Sequence, residues 1–291
     1  MTDHRSSASA SSLTSPDRRQ FVGLAGLAVA GALASAPSRV SAQALTDFDI
    51  LNFALNLEYL EAEYYLRAAF GRGLDSADIT GTGMLGPVMG GTTVPFATAA
   101  IRQYANEIAN DEEAHVKFIR AAITSFGGQP VARPTLDLQQ SFAAAAQAAG
   151  LGAGFNPYAN ENNFLLGALI FEDVGVTAYK GAARLLQNKT VLEAAAGLLG
   201  TEAYHAGTIR TVLFSRGLIS QAKKISDLRD SVDGPTDLDQ GIVLGGAANI
   251  VPTDPNGLAF SRTANQVLSI VYLGGATSGG FFPDGLNGTI R

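Results

Sequence analysis

The 291-residue chain contains no cysteine and no tryptophan, only three histidines, and charged side chains make up 16% of it. Without cysteine there can be no disulfide and no thiolate chemistry, so a metal ion would have to be held by oxygen and nitrogen. Positive charge is also scarce. Twenty lysines and arginines face 26 acidic residues, and they form no stripe suited to nucleic acid or an anionic membrane. Long apolar runs are missing as well: Phe21–Ala36, at 16 residues, is too short for a membrane span. What is present, 46% hydrophobic residues, suffices for one sizeable core.

The apolar run belongs to a leader. A Ser/Ala-rich stretch reaches Asp17-Arg18-Arg19-Gln20-Phe21-Val22, and Ala42-Gln43-Ala44 offers a small-x-small cleavage site, with Val40-Ser41-Ala42 as an alternative. The paired arginines resemble the twin-arginine export signal, so residues 1–44 are expected to be a signal peptide and the protein periplasmic or secreted. The other reading is an uncleaved anchor. Without the leader, 16 basic and 24 acidic residues remain, a net charge of −8.

Both histidines beyond the first few residues lie in the same phrase, Glu-x-x-His, at Glu112–His115 and Glu202–His205. Residues three apart share one helix face and can grip one object. Two such pairs plus one glutamate on each of two further helices form the pattern of a di-iron or di-manganese four-helix bundle.

The chain supplies four long helical stretches. The first runs from Thr46 or Asp47 to Phe70, stopped by Gly71 and Gly73. The second is predicted to open at Thr93-Val94-Pro95 and close at Gly127-Gly128, the third to span Asn160–Asn163 to Gln187, and the fourth Thr190 to Gly217. The turn between the last two makes them antiparallel neighbours, whereas some 33 residues, with a short helix near Leu138–Ala149, separate the second and third. That length can run back along a whole helix, which is the single long crossover of ferritin-like bundles. The expected fold is therefore all-α: a four-helix bundle over residues 45–217, then a mostly irregular extension over 218–291. The extension carries short helices near 221–233 and Thr263–Leu273 and packs on the bundle.

Burial patterning selects the ligands. Glu112 and His115 share a face with Ile101, Ala105, Ile108 and Ile119, while Glu113 falls with Arg102, Asn106 and Arg120 and is expected in solvent. Glu202 and His205 align with Ala195, Leu198, Leu199, Ile209 and Val212. Glu172 aligns with Leu165, Ala168, Leu169 and Val176, with Asp173 pointing towards Lys180. Glycines 167, 175 and 181 would let another backbone approach. On the first helix Glu58 and Glu61 both qualify, and an echo favours Glu58: Tyr65 follows it by seven residues, as Tyr179 follows Glu172. Each tyrosine is expected to stack beside its own glutamate and steady it, or else simply to pack in the core. The predicted ligands are Glu58, Glu112, His115, Glu172, Glu202 and His205, with Glu61 as second candidate. Four buried carboxylates with no lysine or arginine on their stripes demand cations, and two divalent ions, iron or manganese, would balance them.

Several stretches resemble the plant desiccation-related proteins and their bacterial relatives in the ferritin-like superfamily. They are Leu55-Asn56-Leu57-Glu58-Tyr59-Leu60-Glu61-Ala62-Glu63-Tyr64-Tyr65, Phe155-Asn156-Pro157-Tyr158-Ala159-Asn160, Ala196-Gly197-Leu198-Leu199-Gly200, Leu258-Ala259-Phe260-Ser261-Arg262-Thr263 and Gly279-Gly280-Phe281-Phe282-Pro283. The resemblance runs from about residue 46 to the C-terminus. It implies a link with drying and oxidative stress, without a settled reaction. The residues themselves lead to an exported protein that binds metal ions and small oxidants, with ferroxidase-like or catalase-like turnover. The alternative is a non-enzymatic, stress-protective protein whose metals only hold the bundle together. A homo-oligomer, in the limit a hollow iron-storing shell, is a third option, and no membrane span is expected after leader removal.

Overall fold

The computed structural model describes residues 45–291; the expected leader lies outside them. Thr46 starts the first helix, α1 (Asp47–Phe70), with a capping box: its side chain accepts from the Asp49 N–H while the Asp49 carboxylate accepts from the Thr46 N–H. Gly71, at φ 70°, ends it in the left-handed conformation and donates to the Arg67 carbonyl. Most of α1 is buried around its whole circumference, so it is the central helix rather than an amphipathic flank. Helix α2 (Ala99–Ser125) packs along it, and α4 (Glu161–Ala183) and α5 (Lys189–Ser215) form the second antiparallel pair. The long connection between α2 and α4 carries α3 (Gln140–Ala148), giving the expected all-α bundle with one crossover.

Two helix ends differ from the sequence reading for identifiable reasons. Helix α2 opens at Ala99 instead of Thr93, because the Val94 N–H donates to the Ala68 carbonyl at 2.9 Å and holds this stretch extended against α1. The start is capped in trans. Glu161 accepts from the backbone N–H groups of Ala97 at 3.0 Å and Thr98 at 2.8 Å, and Arg216 pairs with the same carboxylate. Helix α4 stops at Ala183 rather than Gln187, since Asp47 takes the N–H groups of Gln187 and Asn188, and Asn188 then caps α5.

The crossover is fixed by short strands and an ion pair. Strands β1 (Val88–Met89) and β2 (Leu136–Asp137) pair in parallel, Val88 opposite Leu136. Glu63, fully buried on α1, binds Arg133 of the crossover and Arg67 of its own helix. A hairpin of β3 (Val243–Leu244) and β4 (Ala247–Ala248) lies in the C-terminal region.

Beyond α5, helices α6 (Ile219–Asp233) and α7 (Ala264–Val271) pack on α4. A buried network ties this region down. Asp173 of α4 accepts from Arg210 at 2.7 Å and Arg229 at 2.9 Å, Arg229 and Arg262 share Asp239, and Arg262 meets Asp233 at 2.7 Å. Asp173 is thus buried against arginines of α5 and α6 and does not turn to Lys180, a contact that local helix spacing cannot reveal. Phe281 and Phe282 are fully buried, Phe281 packing edge-on against Phe142 and Phe171 with ring centres 5.0 Å apart. Among the described residues no helix is long and apolar enough to cross a membrane.

Of the three α4 glycines, only Gly181 admits another backbone: a Cβ there would lie 1.8 Å from the Arg262 carbonyl oxygen. Gly167 makes room for the Tyr64 phenol and Gly175 for the Glu202 carboxylate. Gly181→Ala is therefore expected to destabilise the protein by about 1–3 kcal/mol, despite alanine's better helix propensity. Protease sensitivity should appear first between residues 234 and 262, and chemical denaturation together with limited proteolysis measures both effects.

Candidate metal centre

Each of the four bundle helices contributes mid-length residues to one buried cluster. Glu58 comes from α1, Glu112 and His115 from α2, Glu172 from α4, and Glu202 and His205 from α5; all six are buried. His115 Nδ1 lies 3.2 Å from Glu58, 3.4 Å from Glu112 and 3.6 Å from Glu202. His205 Nδ1 lies 3.1 Å from Glu112 and 3.5 Å from Glu172. The two imidazoles face one another with ring centres 6.2 Å apart. Six residues distant in sequence therefore converge, in two donor groups that share Glu112: Glu58, Glu112, His115 and Glu202 form one, Glu112, Glu172 and His205 the other.

The donor atoms are left open. Eight buried atoms of this cluster have no hydrogen-bond partner: Nδ1 of both histidines, both oxygens of Glu112 and Glu202, and Oε2 of Glu58 and Glu172. Buried polar groups are normally satisfied, and an unpaired carboxylate is costly to bury. A carboxylate and imidazole donor set turned inward fits a hard or borderline divalent ion. The cluster could hold metal.

The tyrosines are arranged differently from the sequence reading. Tyr65 of α1 donates to Glu172 of α4, and Tyr179 of α4 donates to Glu58 of α1. Each hydroxyl thus reaches across the α1/α4 seam to the other helix's glutamate and not to the one seven residues before it. Seven residues correspond to about 10 Å along the axis, so each ring stands about two turns from its own glutamate and its hydroxyl meets the carboxylate of the facing helix instead. In either case Oε1 is tethered and Oε2 stays available.

Electrostatics follow from burial. Burial pushes Glu58 up to about 7 and raises Glu172, Glu202 and Glu61. Burial acts the same way on Glu112, but the close approach of the two imidazoles overcomes it and holds Glu112 at about 2. Burial lowers the histidines, yet the surrounding carboxylates outweigh it and carry His115 up to about 11, with His205 raised as well. Without a cation the imidazolium groups are the counter-charge. A metal ion needs neutral imidazole, so binding releases protons.

Other acidic residues fall in distinct places. Glu61 lies beside the cluster, but none of its oxygens joins either group. Glu113 is not solvated as expected: Arg72 at 2.6 Å and Lys117 at 2.8 Å cover and neutralise it on the outer face. Asp111 is the residue that sequence reasoning missed. Its carboxylate meets His205 Nε2 at 3.2 Å from the surface side, which favours an arrangement with Nδ1 turned inward. Its position next to Glu112 in Asp111-Glu112-Glu113 was the available signal, but the contact crosses to α5.

A family model described as "Ferritin-like domain" matches residues 46–215. The chain belongs to this family. Among curated proteins, it is 33% identical over 245 residues to the "Desiccation-related protein PCC13-62" of Craterostigma plantagineum, covering 77% of this chain and 76% of that one. It is 31% identical over 268 residues to the "Ferritin-like catalase Nec2" of Nesocodon mauritianus, covering 84% of each.

Two substitutions probe this ferritin-like centre. Asp111→Asn leaves the bundle interior untouched and is expected to lower metal affinity about 10–100-fold, measurable by calorimetric titration. In Gly175→Ala the new Cβ would sit 2.3 Å from Glu202 Oε2. The carboxylate end can swing away, so the fold should keep its stability or gain up to about 1 kcal/mol. Metal affinity should fall at least about tenfold as Glu202 moves; unchanged affinity would show that Glu202 is not a ligand.

Proposed function

We propose that the protein binds two iron or manganese ions between Glu58, Glu112, His115, Glu172, Glu202 and His205 and disproportionates hydrogen peroxide. The observation that carries this reading is the set of eight unpartnered, inward-facing donor atoms in two groups joined by Glu112. Four glutamates, two neutral imidazoles and two divalent ions balance in charge. When bound, such a pair supplies reversible two-electron exchange and Lewis acidity, which suits the conversion of two peroxides to two waters and dioxygen. The similarity to a protein named as a ferritin-like catalase supports peroxide over other oxidants.

The chain's own residues would do the rest. Tyr65 and Tyr179 hold one oxygen of Glu172 and Glu58 in place, leaving the other to bind. Glu61, raised by burial and by the charges of Glu112 and Glu58, holds a proton beside the reaction space. The surrounding apolar side chains exclude bulk water and so strengthen every interaction within. The paired Arg18-Arg19 and the apolar run after them support export by the twin-arginine route, hence a periplasmic or secreted protein.

Elemental analysis of natively purified protein should find two ions of iron or manganese per chain, and added peroxide should yield dioxygen. His115→Ala should lower turnover by more than about 100-fold with the fold intact by circular dichroism. The similarity to a desiccation-related protein favours a second reading, in which the ions serve stability alone. That reading gains if metal removal lowers the melting temperature while the parent protein never consumes peroxide. Protein that takes up no metal when purified or reconstituted would defeat both.

A further inference from the structure

Two openings of differing chemistry lie along the α2/α5 seam. One is a broad groove of mixed character, in which Glu107, Asp111 and His205 bring acidic and polar groups among apolar ones such as Ile108 and Val212. The other begins as an apolar groove at Phe118, Ala122, Phe126 and Leu198, where the two phenylalanines are exposed. This second groove shares Leu51, Tyr179 and Ala195 with an interior chamber between α1 and α4. The chamber walls include Leu57, Leu60, Ile170, Val174, Ala178 and Phe281, and its inner end reaches Glu58 and Glu61. Its free cavity volume is about 50 Å³, room for one small molecule.

Two further observations point to a ligand. Glu61 is 5% exposed, lines the chamber and lies outside both donor groups of the cluster. Gly175 also lines it, in the middle of α4, and its missing side chain keeps the floor open towards Glu202. A space walled by aliphatic and aromatic carbons does not order water, because a water needs two or more polar partners. It repels ions and takes up small apolar molecules instead.

We infer that the apolar groove and the chamber, joined at Tyr179, form a binding site and passage for an uncharged molecule of the size of dioxygen, while ions and polar peroxide use the groove by Asp111. What such a molecule meets at the inner end rests on the metal reading; the chamber itself does not. Tyr179 lines both the groove and the chamber, and its hydroxyl is bound to Glu58, so the wall they share and the position of that carboxylate are mechanically joined.

Crystals of the full chain pressurised with xenon test the site without any metal. Xenon is expected in the chamber beside Leu57, Val174 and Ala178. Ala178→Leu, which fills the chamber, should remove at least half of that density, and Ala195→Leu should obstruct the passage into it. In ferrous-loaded protein both variants should slow reoxidation by dioxygen at least fivefold, with metal content unchanged. An empty wild-type chamber under xenon overturns the inference. So does an unaltered reoxidation rate in a variant that has lost the xenon. Protein that takes up xenon but no metal would remove the metal reading and leave the chamber standing on the xenon result.

Discussion

Four glutamates and two histidines occupy the centre of an apolar bundle with no lysine or arginine in contact, and this uncompensated charge is the constraint the rest answers to. Removing a carboxylate from water costs several kcal/mol even after relaxation. A fold that buries four around one point must either protonate them, pair them with imidazolium or take up cations. The raised Glu58 and histidines describe the first two solutions, available to the metal-free chain. The third would give all eight unpartnered donor atoms a partner at once.

The helices hold these groups against that cost through ordinary packing. Helix α1 is covered on all sides, by α2, α4, the crossover and the C-terminal segment, and contributes Glu58 from its middle. The crossover is anchored by Arg133 on Glu63 and by its parallel pairing with the loop after α1. The C-terminal segment closes the α4 side, with the Arg262 carbonyl lodged over Gly181 and Phe281 sealed against Phe142 and Phe171. The Tyr65–Glu172 and Tyr179–Glu58 bonds then lock α1 to α4 at the centre itself. Ligand position is therefore set by the scaffold before any ion arrives, as a binding centre requires.

Much of this was legible in the sequence because it depended on local periodicity. The Glu-x-x-His phrases and the inward faces of Glu172 and Glu202 follow from 100° per residue, whereas that angle left Glu58 and Glu61 level and only the tyrosine echo separated them; the six residues do meet. The spacing of Tyr65 and Tyr179 marked the right side chains but assigned each to the wrong glutamate, because a helical wheel carries no information about which neighbour stands opposite. Asp111 and the start of α2 failed for the same reason: His205 and Glu161, the partners that decide them, lie 94 and about 60 residues away. The expected leader, read from residue types, lies outside the described residues.

Glu172 and Asp173 show how the surroundings and not the carboxylate decide function. They are consecutive and both buried, about 100° apart around α4 and so against different neighbours. Asp173 enters a network of three arginines and three aspartates, neutral in itself, in which Arg210 also donates to the backbone carbonyls of Gln240, Gly241, Asn249 and Ile250. Its charges balance within the protein, and replacing either partner of an ion pair would strand a buried charge at a cost of about 3–5 kcal/mol. Glu172 meets only a phenol, an imidazole and other carboxylates. The first arrangement is charge-balanced as protein and fastens the C-terminal segment. The second is short of positive charge by construction, and that deficit distinguishes a binding centre from a structural ion pair one residue away.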